Sequence, residues 1–391
     1  MKAEHRRFSR IAGLGVSLLT VFFLALIGEG VCFFLVRTGH QMDGGVRASS
    51  RVKLLDRPAR FRVQTTIPVP RGTPPVAYHN YDARKIYEDP RVTQLSQFDL
   101  SSGYSMRPNS EARAVRKIVG ERKLYDVRYT TDSFGRRRTP GQRGPRNRYL
   151  AFWGCSFIFG EGLEDNETLP YYVSRLNPKH RAYNYGVTAY GTNMILAQVQ
   201  ARNLRLEIPE KEGTVVYVFT DQQVPCALAT RLYVKSILDL PYFFEDSRGQ
   251  LRRGGTFRTG RSWISGLYLL SLRSHILDFL NIDFPLRLGE RHFRLVAKMI
   301  AETQAEFRRK KSGSPFFVVF APRSSFAKQL IPYFEEYGIH YLDYSEMDLD
   351  RYLKEPPIIE YDGHPSAAAN RFLARLITRD LGLQAGDPTL P

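Results

Sequence analysis

Residues 151–162 read AFWGCSFIFGEG, where an apolar run ends at Gly154 and is followed by Cys155, Ser156 and a further glycine at Gly160. The pattern predicts a buried strand followed by a tight turn, because glycine permits the backbone that such a turn needs. Two interpretations of Ser156 are open at this point. It is either a nucleophile on a strained strand-to-helix turn or an ordinary loop serine.

From this stretch to the carboxyl end, short apolar runs alternate with helical patterns. This alternation predicts a mostly parallel sheet covered by helices on both faces, so the predicted fold class is α/β. The predicted strands cover residues 149–153, 182–185, 214–219, 315–320 and 340–342. The predicted helices cover residues 168–176, 192–204, 292–307, 325–337 and 366–381.

One stretch, residues 227–290, interrupts the alternation. Within it, residues 242–244 and 251–253 flank a polar Asp-Ser-Arg-Gly turn, which predicts a β-hairpin. An insertion after the third strand would lie above the carboxyl edge of the sheet, where open α/β folds bind ligands. We therefore expect it to act as a lid or a substrate platform.

A second candidate site motif is DGHPS at residues 362–366. A serine nucleophile needs a base and an acid that orients the base. Asp362 lies two residues before His364, so in an extended backbone both side chains point to the same side and the carboxylate can hold the imidazole. The alternative is structural: an Asp-Gly turn with a capping histidine before a helix that begins at Pro365.

With two further blocks, these motifs resemble the SGNH hydrolases, also called the GDSL esterase and lipase superfamily, and in particular its membrane-anchored bacterial members. GCSF at residues 154–157 is similar to the first block, with a cysteine in place of the usual acid. YNYGVTAYGTN from Tyr183 is similar to the second block, VVYVFTDQQ from Val215 to the third, and DGHPS to the last. The resemblance covers about residues 149–383.

This resemblance implies a three-layer α/β/α domain of flavodoxin-like topology that carries a Ser-His-Asp site. Ser156 would be the nucleophile, His364 the base and Asp362 the partner of the base. The family's common Asp-x-x-His spacing would place the acid at Tyr361, whereas Asp-x-His spacing is similar to that of some polysaccharide acetyltransferases. The resemblance implies no metal ion and no organic cofactor.

The oxyanion donors depart from the family pattern. The usual second-block glycine aligns with Ala189, whose backbone N–H would join that of Ser156 in the oxyanion hole. The usual third-block asparagine has no clear counterpart, and Thr220, Asp221 and Gln222 occupy its neighbourhood. We expect Thr220 to be the third oxyanion donor, with Gln222 and Gln223 as alternatives, and we expect Asp221 and Gln222 to bind substrate.

The amino-terminal region contains an apolar stretch, residues 11–36, in which Glu29 is the only charged residue. It exceeds the roughly 20 residues that span a bilayer, and the apolar region of a cleaved signal peptide is normally only about 7 to 15 residues long. We therefore predict a retained transmembrane anchor in the inner (plasma) membrane, with residues 1–10 in the cytoplasm and the remaining chain in the periplasm. Glu29 is either a headgroup-level or helix-packing acid, or a functional carboxylate within the membrane.

Residues 37–148 are predicted to form a linker and a small strand-containing region, and residues 149–391 the hydrolase-like domain with its insertion at about 227–290. A strand is expected where Tyr125, Val127 and Tyr129 alternate with polar neighbours, followed by a turn at residues 132–135. The basic cluster at residues 136–148 is either a solvated loop or a grip for an anionic partner.

The net charge of +18 is spread along the chain and no nucleic-acid-binding motif is present, so we expect no nucleic acid partner. The three cysteines are too few and too scattered for a metal cluster or a disulfide framework. Two free buried thiols are favoured over a bond between Cys155 and Cys226.

The leading hypothesis is a membrane-anchored extracytoplasmic serine esterase that acts on an acyl group of a glycan or a lipid. One alternative is an O-acyltransferase that modifies cell-envelope polysaccharide with the same serine. A second alternative is a catalytically impaired envelope binding or assembly module, because the third-block asparagine is missing.

Overall fold

The computed structural model describes residues 25–33, 95–117, 123–230, 233, 237–280, 288–360 and 362–383. The chain divides into a larger unit, Ala48–Ser262 with Leu288–Pro391, and a smaller unit, Met1–Arg47 with Trp263–Arg287. In the smaller unit, helix α1 covers residues 25–33. The rest of the predicted anchor at 11–36 lies outside the described residues.

The first described strands of the larger unit form two antiparallel pairs. The first pair is β1 (Ser96–Asp99) with β2 (Gly103–Met106), and the second is β3 (Glu111–Lys117) with β4 (Lys123–Thr130). The strand predicted from alternating tyrosine and valine is confirmed as β4, in which those apolar side chains are the buried ones. The turn predicted after it is confirmed by the hydrogen bond from the Gly135 N–H to the Asp132 carbonyl.

A five-stranded parallel sheet forms the centre of the larger unit. In chain order its strands are β5 (Arg148–Trp153), β6 (His180–Asn184), β7 (Glu212–Phe219), β10 (Phe316–Phe320) and β11 (His340–Asp343). Their spatial order is β11-β10-β7-β5-β6, which is the flavodoxin-like order 2-1-3-4-5. The predicted strands are confirmed to within two residues at each end.

Helices cover both faces of this sheet. The helices between and after the strands are α2 (Ser156–Phe159), α3 (Leu169–Leu176), α4 (Thr192–Ala201), α5 (Leu204–Glu207), α6 (Gln223–Leu228), α10 (Glu290–Lys310), α11 (Ala327–Tyr337) and α12 (Ala367–Asp380). One face packs against α4, α10 and α11, and the other against α3 and α12. The three-layer α/β/α architecture is therefore confirmed.

The alternation of side chains along β5 shows how one strand serves both layers. Tyr149 and Trp153 belong to one apolar core, whereas Leu150 and Phe152 belong to the other. All four side chains are fully buried, as expected for a strand of a parallel sheet covered on both faces.

The helix predicted at residues 192–204 is shorter than expected. Helix α4 ends at Ala201, and α5 begins after Asn203, whose side chain accepts a hydrogen bond from the Leu206 N–H at 3.4 Å. An asparagine side chain at a helix start satisfies backbone donors that otherwise have no partner. The apolar pattern runs through this break, so periodicity alone does not reveal it.

The predicted hairpin of the insertion is confirmed as β8 (Pro241–Glu245) paired with β9 (Leu251–Thr256). It is followed by the helices α7 (Phe257–Gly260), α8 (Ser262–Ser271) and α9 (His275–Phe279). The Asn193 side chain of α4 donates to the Pro241 carbonyl at 2.7 Å, which fastens the hairpin to α4. The expected role of the insertion as a lid or substrate platform stays a prediction.

The first two arginines of the basic cluster at residues 136–148 fit neither a solvated loop nor a grip for an anionic partner. Arg136 and Arg137 are buried, so they lie neither in a solvated loop nor on a free anion-binding surface. The Arg136 guanidinium pairs with Asp132 at 2.7 Å and donates to the Glu207 carbonyl at 2.6 Å. An arginine can be buried in this way because its charge is paired and its donors are satisfied.

Arg137 fastens β4 to the segment that follows α2. Its guanidinium lies over the Tyr129 ring, 4.3 Å from the ring centroid, and pairs with Asp165 at 2.9 Å. It also donates to the carbonyls of Phe159 at 2.8 Å and Gly160 at 2.7 Å. This one side chain therefore fixes the backbone immediately after the predicted nucleophile.

Replacing Arg137 by alanine is expected to lower the free energy of unfolding by about 3 to 5 kcal/mol, because buried carbonyls and the Asp165 carboxylate lose their donor. Urea unfolding of the full chain measures the change. The exposed Arg143→Ala is the control and is expected to stay within about 0.5 kcal/mol. Equal effects of the two variants would contradict this role.

Candidate active site

Ser156 lies at the carboxyl end of β5, in the first turn of α2. Gly154 makes the turn possible, since an added Cβ would come within 2.8 Å of Cγ1 of Ile158 and 3.1 Å of the Val218 carbonyl. Gly160 ends the short helix in the left-handed region at φ 81°. Glycine is therefore required at position 154 by the close approach of the β7 backbone, and it is favoured at position 160 by the positive φ.

The structure brings His364 and Asp362 to Ser156. Nε2 of His364 lies 2.8 Å from Oγ of Ser156, across 208 positions of sequence. Nδ1 of the same imidazole is hydrogen-bonded to the carboxylate of Asp362, whose side chain is completely buried. One ring nitrogen thus faces the serine and the other faces the acid.

The structural alternative for DGHPS is not supported. Helix α12 begins at Ala367, and its N-cap is Ser366, whose hydroxyl accepts from the Ala369 N–H at 3.2 Å. The imidazole of His364 points instead to Ser156 and Asp362. Pro365 precedes the N-cap, so it does not occupy the first helical position.

Two charged residues of the site were missed by sequence reasoning. The guanidinium of Arg116, on β3, pairs with the second carboxylate oxygen of Asp362. Glu161 is buried, and its Oε2 lies 3.8 Å from Nε2 of His364. Nothing in the sequence distinguishes Glu161 from Glu164 and Asp165, which follow it closely, and nothing near Arg116 indicates a partner 246 positions away.

These charges shift the ionisation of the site. Burial lowers the pKa of His364, but the carboxylates of Asp362 and Glu161 outweigh it and raise that pKa to about 9. Burial raises the pKa of Asp362, but the imidazole of His364 and the guanidinium of Arg116 hold it below its ordinary value. The two shifts together favour a carboxylate beside an imidazolium.

The second block packs directly against α2. An added Cβ on Gly186 would lie 2.3 Å from the Phe159 nitrogen, so only glycine fits at this point. The Val187 N–H donates to the Gly154 carbonyl at 3.3 Å. Ala189, the predicted oxyanion donor, follows in the same loop with φ 59°, a left-handed conformation that favours glycine.

The third-block side chains are already bonded within the protein. The Thr220 hydroxyl lies 3.3 Å from Sγ of Cys155. The Asp221 carboxylate accepts from the backbone N–H groups of Ser325 at 2.8 Å and Phe326 at 3.0 Å, so it holds the start of the α11 segment.

The side chain of Gln222 lies beside those of Cys226 and Tyr233. The alternative donor Gln223 receives a bond from the Tyr217 hydroxyl at 2.7 Å and donates to the Val218 carbonyl at 2.8 Å. The oxyanion role of Thr220 and the substrate-binding roles of Asp221 and Gln222 stay predictions.

Cys155 and Cys226 are both buried and both free, as the favoured interpretation predicts. Within the part of the chain that the structure describes, no group of three or more histidine, cysteine, aspartate or glutamate side chains could hold a metal ion.

The arrangement has the parts of a nucleophilic relay. Nε2 of a neutral His364 can accept the Ser156 proton while Nδ1–H donates to Asp362. An imidazolium formed in this way is stabilised by the buried carboxylate. The site can therefore generate a serine alkoxide-like nucleophile and later return the proton to a leaving group.

No model of a known protein family matches the sequence, and no curated protein matches it. Among 28 similar chains of solved structures is a lipolytic protein of the G-D-S-L family from Veillonella parvula. It is 8% identical with a TM-score of 0.35, over 59% of this chain and 97% of that one.

Two further similar structures are an acetyl xylan esterase from the rumen bacterium Butyrivibrio proteoclasticus and the lipase/acylhydrolase from Enterococcus faecalis. The first is 11% identical, with a TM-score of 0.33, over 62% of this chain and 66% of that one. The second is 11% identical, with a TM-score of 0.34, over 62% of this chain and 100% of that one. Likeness at this level does not bear on activity, so function has to be inferred from the site itself.

The imidazole of His364 is expected to titrate near pH 9, and Glu161→Gln is expected to move this titration to lower pH. The sign follows because removal of a nearby negative charge disfavours the imidazolium. Heteronuclear NMR of histidine-labelled protein measures the pKa of His364 in the wild type and in Glu161→Gln, with the exposed His340 as the internal control. An unchanged His364 titration in Glu161→Gln would contradict the assigned electrostatic role.

Ala189→Gly is expected to raise the free energy of unfolding by up to about 1 kcal/mol, because it removes the strain of a Cβ at positive φ. Denaturant unfolding measures the change. Ala182→Gly, in the interior of β6, is the matched control and is expected to lower stability by about 0.5 to 1 kcal/mol. Destabilisation of similar size at both positions would show that Ala189 is not strained.

Proposed function

We propose that this chain is a serine esterase of the SGNH type. The single observation that supports this most is the continuous relay from Ser156 through His364 to Asp362, with Oγ and Nε2 2.8 Å apart. The same distance counts against a catalytically impaired module, because it lies within the hydrogen-bond reach that proton transfer needs.

In the proposed mechanism, Oγ of Ser156 attacks the carbonyl carbon of an ester while Nε2 of His364 takes the hydroxyl proton. The tetrahedral oxyanion is stabilised by the backbone N–H groups of Ser156 and Ala189 and by Thr220. When the intermediate collapses, the bond to the alcohol oxygen breaks and His364 returns its proton to that oxygen. Water then attacks the acyl carbon while His364 takes a proton from it. The bond from the acyl carbon to Oγ breaks, His364 gives that proton to Oγ, and the carboxylic acid and free Ser156 are released.

The raised pKa of His364 has a direct consequence for this mechanism. Only the neutral imidazole can accept the Ser156 proton, and a pKa of about 9 means that most molecules carry the imidazolium at neutral pH. The proposed rate therefore rises with pH until His364 is neutral. The same shift makes the imidazolium a stable partner of the tetrahedral intermediate.

The proposed substrate is an acyl ester of a glycan or a lipid at the cell envelope. We place the enzyme at the inner membrane with residues 11–36 as its anchor and the catalytic unit in the periplasm. The length and apolarity of residues 11–36 support this placement. In the described part of the chain, no helix has the length and apolarity needed to cross a bilayer.

Ser156→Ala is expected to lower hydrolysis of a short-chain p-nitrophenyl ester by roughly 10⁴-fold or more and to abolish labelling by a fluorophosphonate, because the attacking atom is lost. Cys155→Ala is the matched neighbour and is expected to retain activity within a few-fold. If Cys155→Ala loses activity and Ser156→Ala retains it, the nucleophile is Cys155 and not Ser156. An O-acyltransferase would share the acyl-enzyme, so acyl transfer to an added oligosaccharide is measured in the same assay.

A further inference from the structure

Helix α8 has its polar and apolar faces reversed relative to a helix on a water-facing surface. Its buried positions are Ser265, Tyr268 and Ser271, whereas four of its five other large apolar side chains are exposed and Leu267 is half-buried. The exposed apolar side chains are Trp263 at 79%, Leu270 at 63%, Ile264 at 38% and Leu269 at 38%. A helix exposed to water shows the opposite distribution.

The sequence of α8 reinforces this reversal. Residues 262–272 contain no charged side chain, and Arg273 follows directly. An exposed apolar helix face without charge is favoured against lipid rather than water, and tryptophan is enriched where a membrane meets water. Arg273 is exposed, and arginine at such a position attracts anionic lipid headgroups.

The segment after α8 is bonded to α1 within the smaller unit. The Glu29 carboxylate accepts hydrogen bonds from the Ser274 hydroxyl and from the backbone N–H groups of His275 and Ile276, the last at 3.4 Å. The rings of Phe33 and His275 meet edge to face with centroids 4.8 Å apart. The α8–α9 segment is therefore attached to the apolar stretch that contains α1.

Glu29 is the only charged residue of residues 11–36, so its hydrogen-bond partners decide how costly this carboxylate is next to lipid. A carboxylate facing lipid is costly, and hydrogen bonds from backbone N–H groups and a hydroxyl reduce that cost. The outward side chains of α1 are again apolar: Leu26 at 51%, Ile27 at 54%, Val31 at 54% and Phe33 at 44% exposed. The charge is bonded inside the unit and the apolar groups face out.

We propose that the exposed apolar side chains of α1 and α8 form one lipid-facing surface, so that residues 263–270 lie in the interfacial layer of the bilayer that holds residues 11–36. The proposal rests on the membrane attachment proposed above and adds a second membrane contact, made by the insertion. A bilayer is the occupant because α1 continues an uninterrupted apolar stretch toward the amino end, and the lipid that covers that stretch extends over α1.

Tryptophan fluorescence of the full chain tests the proposal, since Trp153 is completely buried and Trp263 is the other of the two tryptophans. The protein is reconstituted in vesicles of phosphatidylcholine and phosphatidylglycerol with acyl chains brominated near the headgroup. Brominated lipid is expected to quench about half of the emission and aqueous iodide very little, as for an interfacial tryptophan. Trp263→Phe is expected to remove the quenching by brominated lipid.

Carbonate extraction of the same vesicles separates this proposal from the anchor. If the chain stays in the membrane while iodide and not brominated lipid quenches Trp263, the anchor stands and the interfacial helix is overturned. If carbonate releases the chain, the membrane attachment itself fails, and this proposal fails with it.

Two pairs of variants test the lipid-facing side chain Leu270 and the role of Glu29 separately. Leu270→Asp is expected to lower quenching by brominated lipid several-fold, whereas Leu100→Asp, at a residue 88% exposed in the larger unit, leaves it unchanged. Glu29→Ala is expected to increase iodide quenching of Trp263 in a chain that still resists carbonate, and Glu29→Gln, which keeps a carbonyl acceptor, to have a smaller effect. Equal quenching in Leu270→Asp and wild type would overturn the lipid-facing assignment of α8.

Discussion

The pairing of β5 with β6 on one side and β7 on the other is the constraint on which the site depends. Parallel strands end at the same edge, so the loops that follow these three strands converge there. Gly186 then allows the first two loops to touch through backbone atoms, Gly154 allows the first to approach the Val218 carbonyl of β7, and Cys155 meets Thr220 of the third loop. The turn that carries Ser156 is the central one because β5 lies between the other two strands.

Two buried carboxylates, those of Asp362 and Glu161, lie beside the imidazole of His364, and the guanidinium of Arg116 pairs with Asp362. Both carboxylates favour a positive charge on the imidazole, which is the physical reason for the raised pKa of His364. The ground state of the site thus already resembles, in its charges, the state that follows removal of the serine proton.

Sequence patterns predicted what is encoded locally. The apolar periodicity located the strands of the central sheet, and the two-residue spacing of Asp362 and His364 predicted the hydrogen bond between them. Arg116 and Glu161 could not be assigned because their roles arise from contacts between distant segments. The burial of Arg137 was missed for a different reason: arginine is normally exposed, and only the tertiary structure supplies the Tyr129 ring and the carbonyls that satisfy it.

The contacts of β3 and β4 bear on how much of the chain the proposed site needs. Arg116 on β3 neutralises Asp362, and Arg137 just after β4 holds the backbone that follows Ser156, so both cations come from the region predicted to be a linker and a small strand-containing part. A gene segment that encodes only the residues from β5 onward would supply the serine, the histidine and the aspartate without the cations that position them. The smallest portion of this protein that recombination could transfer with the proposed site intact therefore starts upstream of β3.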